Sequence, residues 1–228
     1  MSRRAGERRV EFNGTVNQLL HRLPDIATLR DRCRAMAMID AVLSPDWESR
    51  YYSFNSAWGE SEELASMRNG SGDDWFIVFS AAGVYGRGFD HESPNAPHVL
   101  DAVPAAFGAF VTEPAFADHD GSPLATVCFW RGHDDTEWSV STADHGGRAL
   151  FELVIEGTPE AYRDWAQDYY ETEVSLSAVH HVFALRPLTP EVVGELNPDV
   201  AFGDLAGDLV EIGYPDESAC ATPSSGPA

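Results

Sequence analysis

The chain contains no lysine. Its fixed cations are 15 arginines, set against 37 aspartates and glutamates, which gives a formal charge of −22 over 228 residues when the eight histidines are neutral. Without a lysine there is no phosphate-binding loop of the P-loop kind. Cysteine is scarce as well. Cys33, Cys128 and Cys220 are far apart and odd in number, which supports neither a disulfide framework nor the paired ligand spacing of a zinc site. Cys33 and Cys128 stand among apolar neighbours, where a thiol serves as a small hydrophobe. Long apolar runs are also missing. The uncharged stretches from Trp75 to Gly86 and from Val174 to Leu185 fall well short of the roughly 20 residues that a spanning helix needs, so no membrane segment is expected. Arg3, Arg4, Arg8 and Arg9 mark the N-terminus, but no apolar segment or small-residue cleavage site follows, and the reading is a cytoplasmic protein. What the chain does have is 43% hydrophobic residues and 11% aromatics, enough for a sizeable core and too much for global disorder.

The charge is unevenly placed. Residues 1–50 hold nine Arg against seven acids, a net of +2, whereas residues 51–228 hold six Arg against thirty acids, a net of −24. An acidic body repels phosphate backbones, so it is not expected to bind DNA or RNA directly. Residues 1–14 read as a basic, flexible N-terminus, 15–215 as one globular domain and 216–228 as a disordered tail rich in Pro, Ser, Gly and Ala.

Within the domain, Asp25 caps a helix in which Ile26, Leu29, Cys33, Met36 and Leu43 recur at three- and four-residue steps until Pro45, and the apolar stretch Val16 to Leu23 reads as a short helix before it. Tyr51 to Phe54 reads as a strand and Glu60 to Arg68 as a short helix. Trp75 to Ser80, apolar on both faces, reads as a central strand forming a hairpin with Val84 to Phe89. A helix is expected across Val99 to Val111, broken at Pro104, then a strand over Leu124 to Arg131 paired with Thr136 to Ser141. Alternation of Phe151, Leu153 and Ile155 predicts a half-buried strand, and Val174 to Leu185 a long strand. Thr158-Pro159 and Thr189-Pro190 open helices with the same capping pattern, and Asn197 to Tyr214 form the last helix. The sum is an α+β fold: a mostly antiparallel sheet with helices packed against it.

Two constellations stand out. Glu160, Asp164, Asp168 and Glu171 on one predicted helix, and Asp204, Asp208 and Glu211 on the last, recur at three- and four-residue steps. Like charges so spaced cost each helix roughly 0.2–0.5 kcal/mol per pair. Local stability therefore does not account for them, and they point either to a solvated surface or to a face for a basic protein partner, with Trp and Tyr at its rim as anchors. The second constellation is histidine beside carboxylate in predicted loops: Asp90, His91 and Glu92; Asp118, His119 and Asp120; His133, Asp134 and Asp135; Asp144 and His145. This donor chemistry suits zinc or manganese, and His91, Glu92, His119, His133 and His145 are the candidate ligands of a metal-assisted hydrolase. His180 and His181, expected in a strand, would point to opposite faces. Gly83, Gly86 and Gly88 lack the order of a dinucleotide fingerprint and fit a twisted hairpin, the loop Arg68 to Trp75 could be a binding loop, and Trp75, Trp130 and Trp138 could line a pocket.

The runs Tyr51-Tyr52-Ser53-Phe54-Asn55, Ser66-Met67-Arg68-Asn69-Gly70-Ser71-Gly72-Asp73 and Leu185-Arg186-Pro187-Leu188-Thr189-Pro190 resemble small acidic actinobacterial proteins of unassigned function, over most of residues 40–215. The resemblance implies no activity and carries no catalytic residues. In size and charge the chain is also similar to immunity proteins that neutralise secreted toxins, a likeness without a shared motif. The reading is therefore an acidic, non-enzymatic binding protein, an inhibitor or immunity-type factor without a cofactor, with a metal-assisted hydrolase as the alternative.

Overall fold

A computed structural model describes residues 15–93, 98–117, 120–141 and 146–216. The expectations for 1–14 and for the tail beyond 216 lie outside the described residues. Asp216 itself, expected in that tail, bridges to Leu188.

Six strands run as an antiparallel meander in chain order: β1 (Tyr52–Gly59), β2 (Glu62–Arg68), β3 (Asp74–Ser80), β4 (Gly83–Phe89), β5 (Val127–Gly132) and β6 (Ser139–Val140). Before the sheet come α1 (Val16–Leu20) and α2 (Ile26–Leu43). Within the β4–β5 connection lies a short α3 (Gly108–Val111). After the sheet follow α4 (Arg148–Glu156), α5 (Pro159–Tyr170), α6 (Leu176–Phe183), α7 (Pro190–Leu196) and α8 (Ala206–Ile212). The fold is α+β, a six-stranded antiparallel sheet with helices packed on it as one compact domain.

β3 explains the layering. Its side chains alternate, so Trp75, Ile77 and Phe79 enter a core shared with the helices, while Phe76 and Val78 enter a second core beneath Val99, Phe107, Phe110 and Phe116 of the β4–β5 connection. Buried on both faces, it is the central strand its composition predicts. Gly86 and Gly88 serve close packing: an added Cβ would meet the Phe129 ring at 2.2 Å and the Phe151 ring at 2.8 Å.

Three elements differ from expectation in type, and two in extent. Residues 62–68 are a strand, because pairing with β1 and β3 on both sides outweighs the helical preference of Glu, Leu, Ala and Met. Residues 148–156 are helical, burying Leu150, Phe151, Val154 and Ile155 on one face between Gly147 and Gly157, both with left-handed backbones that mark the helix ends. Residues 176–183 are also helical, capped by the Ser175 hydroxyl and burying Ala178, Val179 and Val182. The expected Val99–Val111 helix shrinks to a 3-10 turn over Ala105–Phe107 followed by α3, and the expected last helix to a 3-10 turn over Phe202–Leu205 followed by α8.

Candidate functional site

The β3–β4 register pairs Asp74 with Phe89, and this carries the loop ending at Asp73 against the loop that begins at Asp90. The His91 backbone amide and ring Nδ1 both lie on Asp73 Oδ1, at 3.0 and 2.7 Å. Asn69 Nδ2 donates to Asp73 Oδ2 at 2.6 Å. Burial pushes the Asp73 carboxyl up, but these bonds outweigh it and hold the group below its ordinary value. Asp73 in turn raises the exposed His91. Asp90 accepts from the Glu92 amide at 3.0 Å, the Ser93 hydroxyl at 2.7 Å and the Gly147 amide at 2.9 Å. Ligand atoms of Asp73, Asp90 and His91 fall within 4.8 Å of one another. Of the expected ligands, His91 belongs to this group. Asp73 and Asp90 join His91, whereas Glu92 turns its backbone to the group. His133 sits beyond Gly132, which pairs with Gly83 at the opposite end of β4. His119 and His145 lie outside the described residues.

The acid-bearing helices meet on either side of the segment Trp47–Tyr51. The Tyr51 ring contacts Trp165 and Tyr169 of α5, with centroids 4.7 and 4.8 Å apart. Next to it, Arg50 donates to Ser44 and Pro45 carbonyls and to Asp208 of α8 at 2.5 Å. Asp208 is therefore a structural partner of a buried guanidinium, not an outward-facing acid. Glu160 lies 2.8 Å from His180 Nε2, and Asp164 pairs with Arg163. Asp164, Asp168, Glu171, Asp204 and Glu211 are exposed. Among the described residues three large apolar side chains stay exposed, Trp47 at 44%, Tyr169 at 41% and Val210 at 80%. Trp47 and Tyr169 belong to this neighbourhood: Trp47 accepts the Arg50 amide and lies under Arg68, and Tyr169 touches Tyr51; Val210, two residues after the inward-facing Asp208, lies on another side of α8.

Behind these rings is a wholly buried carboxylate. Asp40 of α2 accepts the Tyr52 amide at 2.7 Å and the Tyr162 hydroxyl, and the buried Tyr170 hydroxyl faces the same group. Burial pushes Asp40 up to about 6, against the pull of Tyr162, the Tyr52 amide and Tyr170. Nothing in the sequence reading singled it out. Its signal was a charged residue in register with Leu29, Cys33, Met36 and Leu43, on the apolar stripe of α2.

Other candidates resolve as structure. The sheet separates the tryptophans: Trp75 and Trp138 lie in the helix-side core, while Trp130 packs against the second core. Trp138 donates to the Pro24 carbonyl and forms, with His21, Asp25, Arg131 and Glu137, the wall of a cleft of about 600 Å³ in which Asp25 caps α2. A second cleft of about 440 Å³ lies beside Arg32, whose guanidinium binds the Val154 and Ile155 carbonyls. His180 and His181 share helix α6, not a strand, and His181 Nε2 lies on the Pro187 carbonyl. Cys33 and Cys128 are buried thiols raised to about 12 by burial, far from the thiolate form. No helix among the described residues is long and apolar enough to cross a membrane. No protein-family model, curated protein or solved structure matches the chain.

Proposed function

We propose that this is a non-enzymatic binding protein that docks a basic protein on the face built from α5, the Trp47–Tyr51 segment and α8. The observation that carries the reading is that Trp47 and Tyr169, two of the large apolar side chains exposed among the described residues, both adjoin the Trp47–Tyr51 segment, between helices that carry the exposed acids Asp164, Asp168, Glu171, Asp204 and Glu211. Aromatic anchors among carboxylates suit arginine and lysine twice over, through the ring quadrupole and through opposite charge. Phosphate backbones are repelled by the same face. In this reading the protein acts as an inhibitor or immunity-type factor, with the reducing cytoplasm as the compartment in keeping with two free thiols. The test is binding of a hexa-arginine peptide at rising ionic strength. Affinity is expected to fall on the order of tenfold from low to high salt, and a peptide that does not bind at low salt refutes the reading.

A second reading, a metal-assisted hydrolase, is favoured by the convergence of Asp73, Asp90 and His91. It is the weaker one, because a zinc or manganese ion would have to displace the hydrogen bonds that occupy both oxygens of each carboxylate. Elemental analysis of untagged protein decides it, with stoichiometric metal as the result in its favour.

A further inference from the structure

A carboxylate with no exposed surface ordinarily stands beside a cation. Asp40 stands among phenols. Cys33 lies on its own helix, Tyr51 and Tyr52 flank it from the start of β1, and Tyr162, Tyr169 and Tyr170 from α5. Charged groups on other elements packed against α2 have partners of their own: Glu63 of β2 pairs with Arg30 and Arg34, Arg148 of α4 with Glu152, Asp208 of α8 with Arg50, His180 of α6 with Glu160, and Glu195 of α7 with Ser175 and Ser177. Among the described residues, the negative charge is stabilised by the Tyr52 amide and by tyrosine hydroxyls. Tyr51 and Tyr169 form the outer layer of this cluster, and Tyr169, with the half-buried Tyr51 packed against it, is an exposed ring of the docking face.

We infer that Asp40 is the proton-linked element of that face: its buried negative charge, one ring layer behind Tyr51 and Tyr169, draws cationic side chains onto the rings, so docking strengthens as the carboxylate ionises. This rests on the docking function proposed above. The direction follows from linkage. A bound cation stabilises the ionised form, so binding releases a proton from Asp40, and by reciprocity a rise in pH through the range where Asp40 titrates tightens binding. Protonation needs little rearrangement, since the Asp40 hydroxyl can donate to Tyr162 while the Tyr162 hydroxyl turns to the Met36 carbonyl 3.4 Å away.

The experiment measures hexa-arginine affinity in low salt at pH 5 and at pH 7 for the wild type and for Asp40→Asn. The Asn side chain keeps the shape, can accept the Tyr52 amide and can donate to Tyr162. Histidines and surface acids titrate alike in both proteins, so the difference isolates Asp40. The wild type should gain roughly threefold more affinity than the variant between the two pH values, the effect of a half-unit shift in one group. Equal gains with salt-sensitive binding overturn the inference and leave the docking function standing, whereas no binding at pH 7 overturns both. Should the variant not fold, carboxyl-carbon NMR of Asp40 in the wild type replaces it: the titration midpoint must fall when the peptide is added, and an unmoved midpoint overturns the inference.

Discussion

Asp40 should contribute to the pH dependence of stability in a direction opposite to that of acids whose folded-state value is lowered by a partner, and replacing it by Asn should remove that contribution. Burial raises the folded-state value of Asp40 to about 6 from an ordinary 3.8, so between those two values the folded chain binds the extra proton. Stability from this group is therefore greatest below the unfolded value and is lost as pH rises through the folded one. The ceiling is about 3 kcal/mol, from a shift of about two units at 1.36 kcal/mol each. Between pH 4 and pH 7 about 2 kcal/mol of it should be realised. Urea unfolding of both proteins across that range gives the difference directly, because the remaining carboxylates cancel. Asp40→Asn should gain about 2 kcal/mol on the wild type as pH rises from 4 to 7. Parallel stability curves would show that Asp40 is not held in a raised, protonatable state, and the buried-charge argument would fail with it.

Tyr169→Ala and Trp47→Ala should each weaken hexa-arginine binding by about 2 kcal/mol, on the order of thirtyfold, if these rings are anchors; titration calorimetry reads this, and unchanged affinity would remove them from the face. Arg50→Ala strands Asp208, whose side chain is 18% exposed, so the cost expected for a buried pair is discounted to about 2 kcal/mol. Calorimetric melting should fall by about 4–8 °C, with part recovered in Arg50→Ala/Asp208→Ala.

Much of the fold was legible where local chemistry and tertiary packing agree. Asp25 caps α2 as its sequence predicts, Thr158-Pro159 and Thr189-Pro190 open α5 and α7, and the doubly apolar β3 lies inside the sheet. The misread elements are those where the two conflict or where the period was taken wrongly. In α4 the alternation of Phe151, Leu153 and Ile155 masked a helical face of Leu150, Phe151, Val154 and Ile155, although Gly147 and Gly157 framed it. The apolar run from Val174 to Leu185 suggested a strand where α6 forms, although Ser175 offered an N-cap. β2 carried helix-forming residues and is a strand only because two neighbours pair with it. His91 was readable as a candidate, but its companion Asp73 lies 18 residues away and is found only through the register of the β3–β4 hairpin. That the residues around Glu160 and around Asp204 flank one aromatic segment depends on the path of Trp47–Tyr51 between α5 and α8, which no local pattern encodes.

Docking of a cationic partner requires the exposed rings and acids to act together as one surface. The direct measurement is hexa-arginine affinity against salt for the wild type and for a variant with Asp164, Asp168, Glu171, Asp204 and Glu211 replaced by Asn or Gln, all five exposed and outside the core. The wild type should lose affinity steadily as salt rises, and the neutralised variant should bind weakly with most of the salt dependence gone. Equal affinities and equal salt slopes for the two proteins would contradict it.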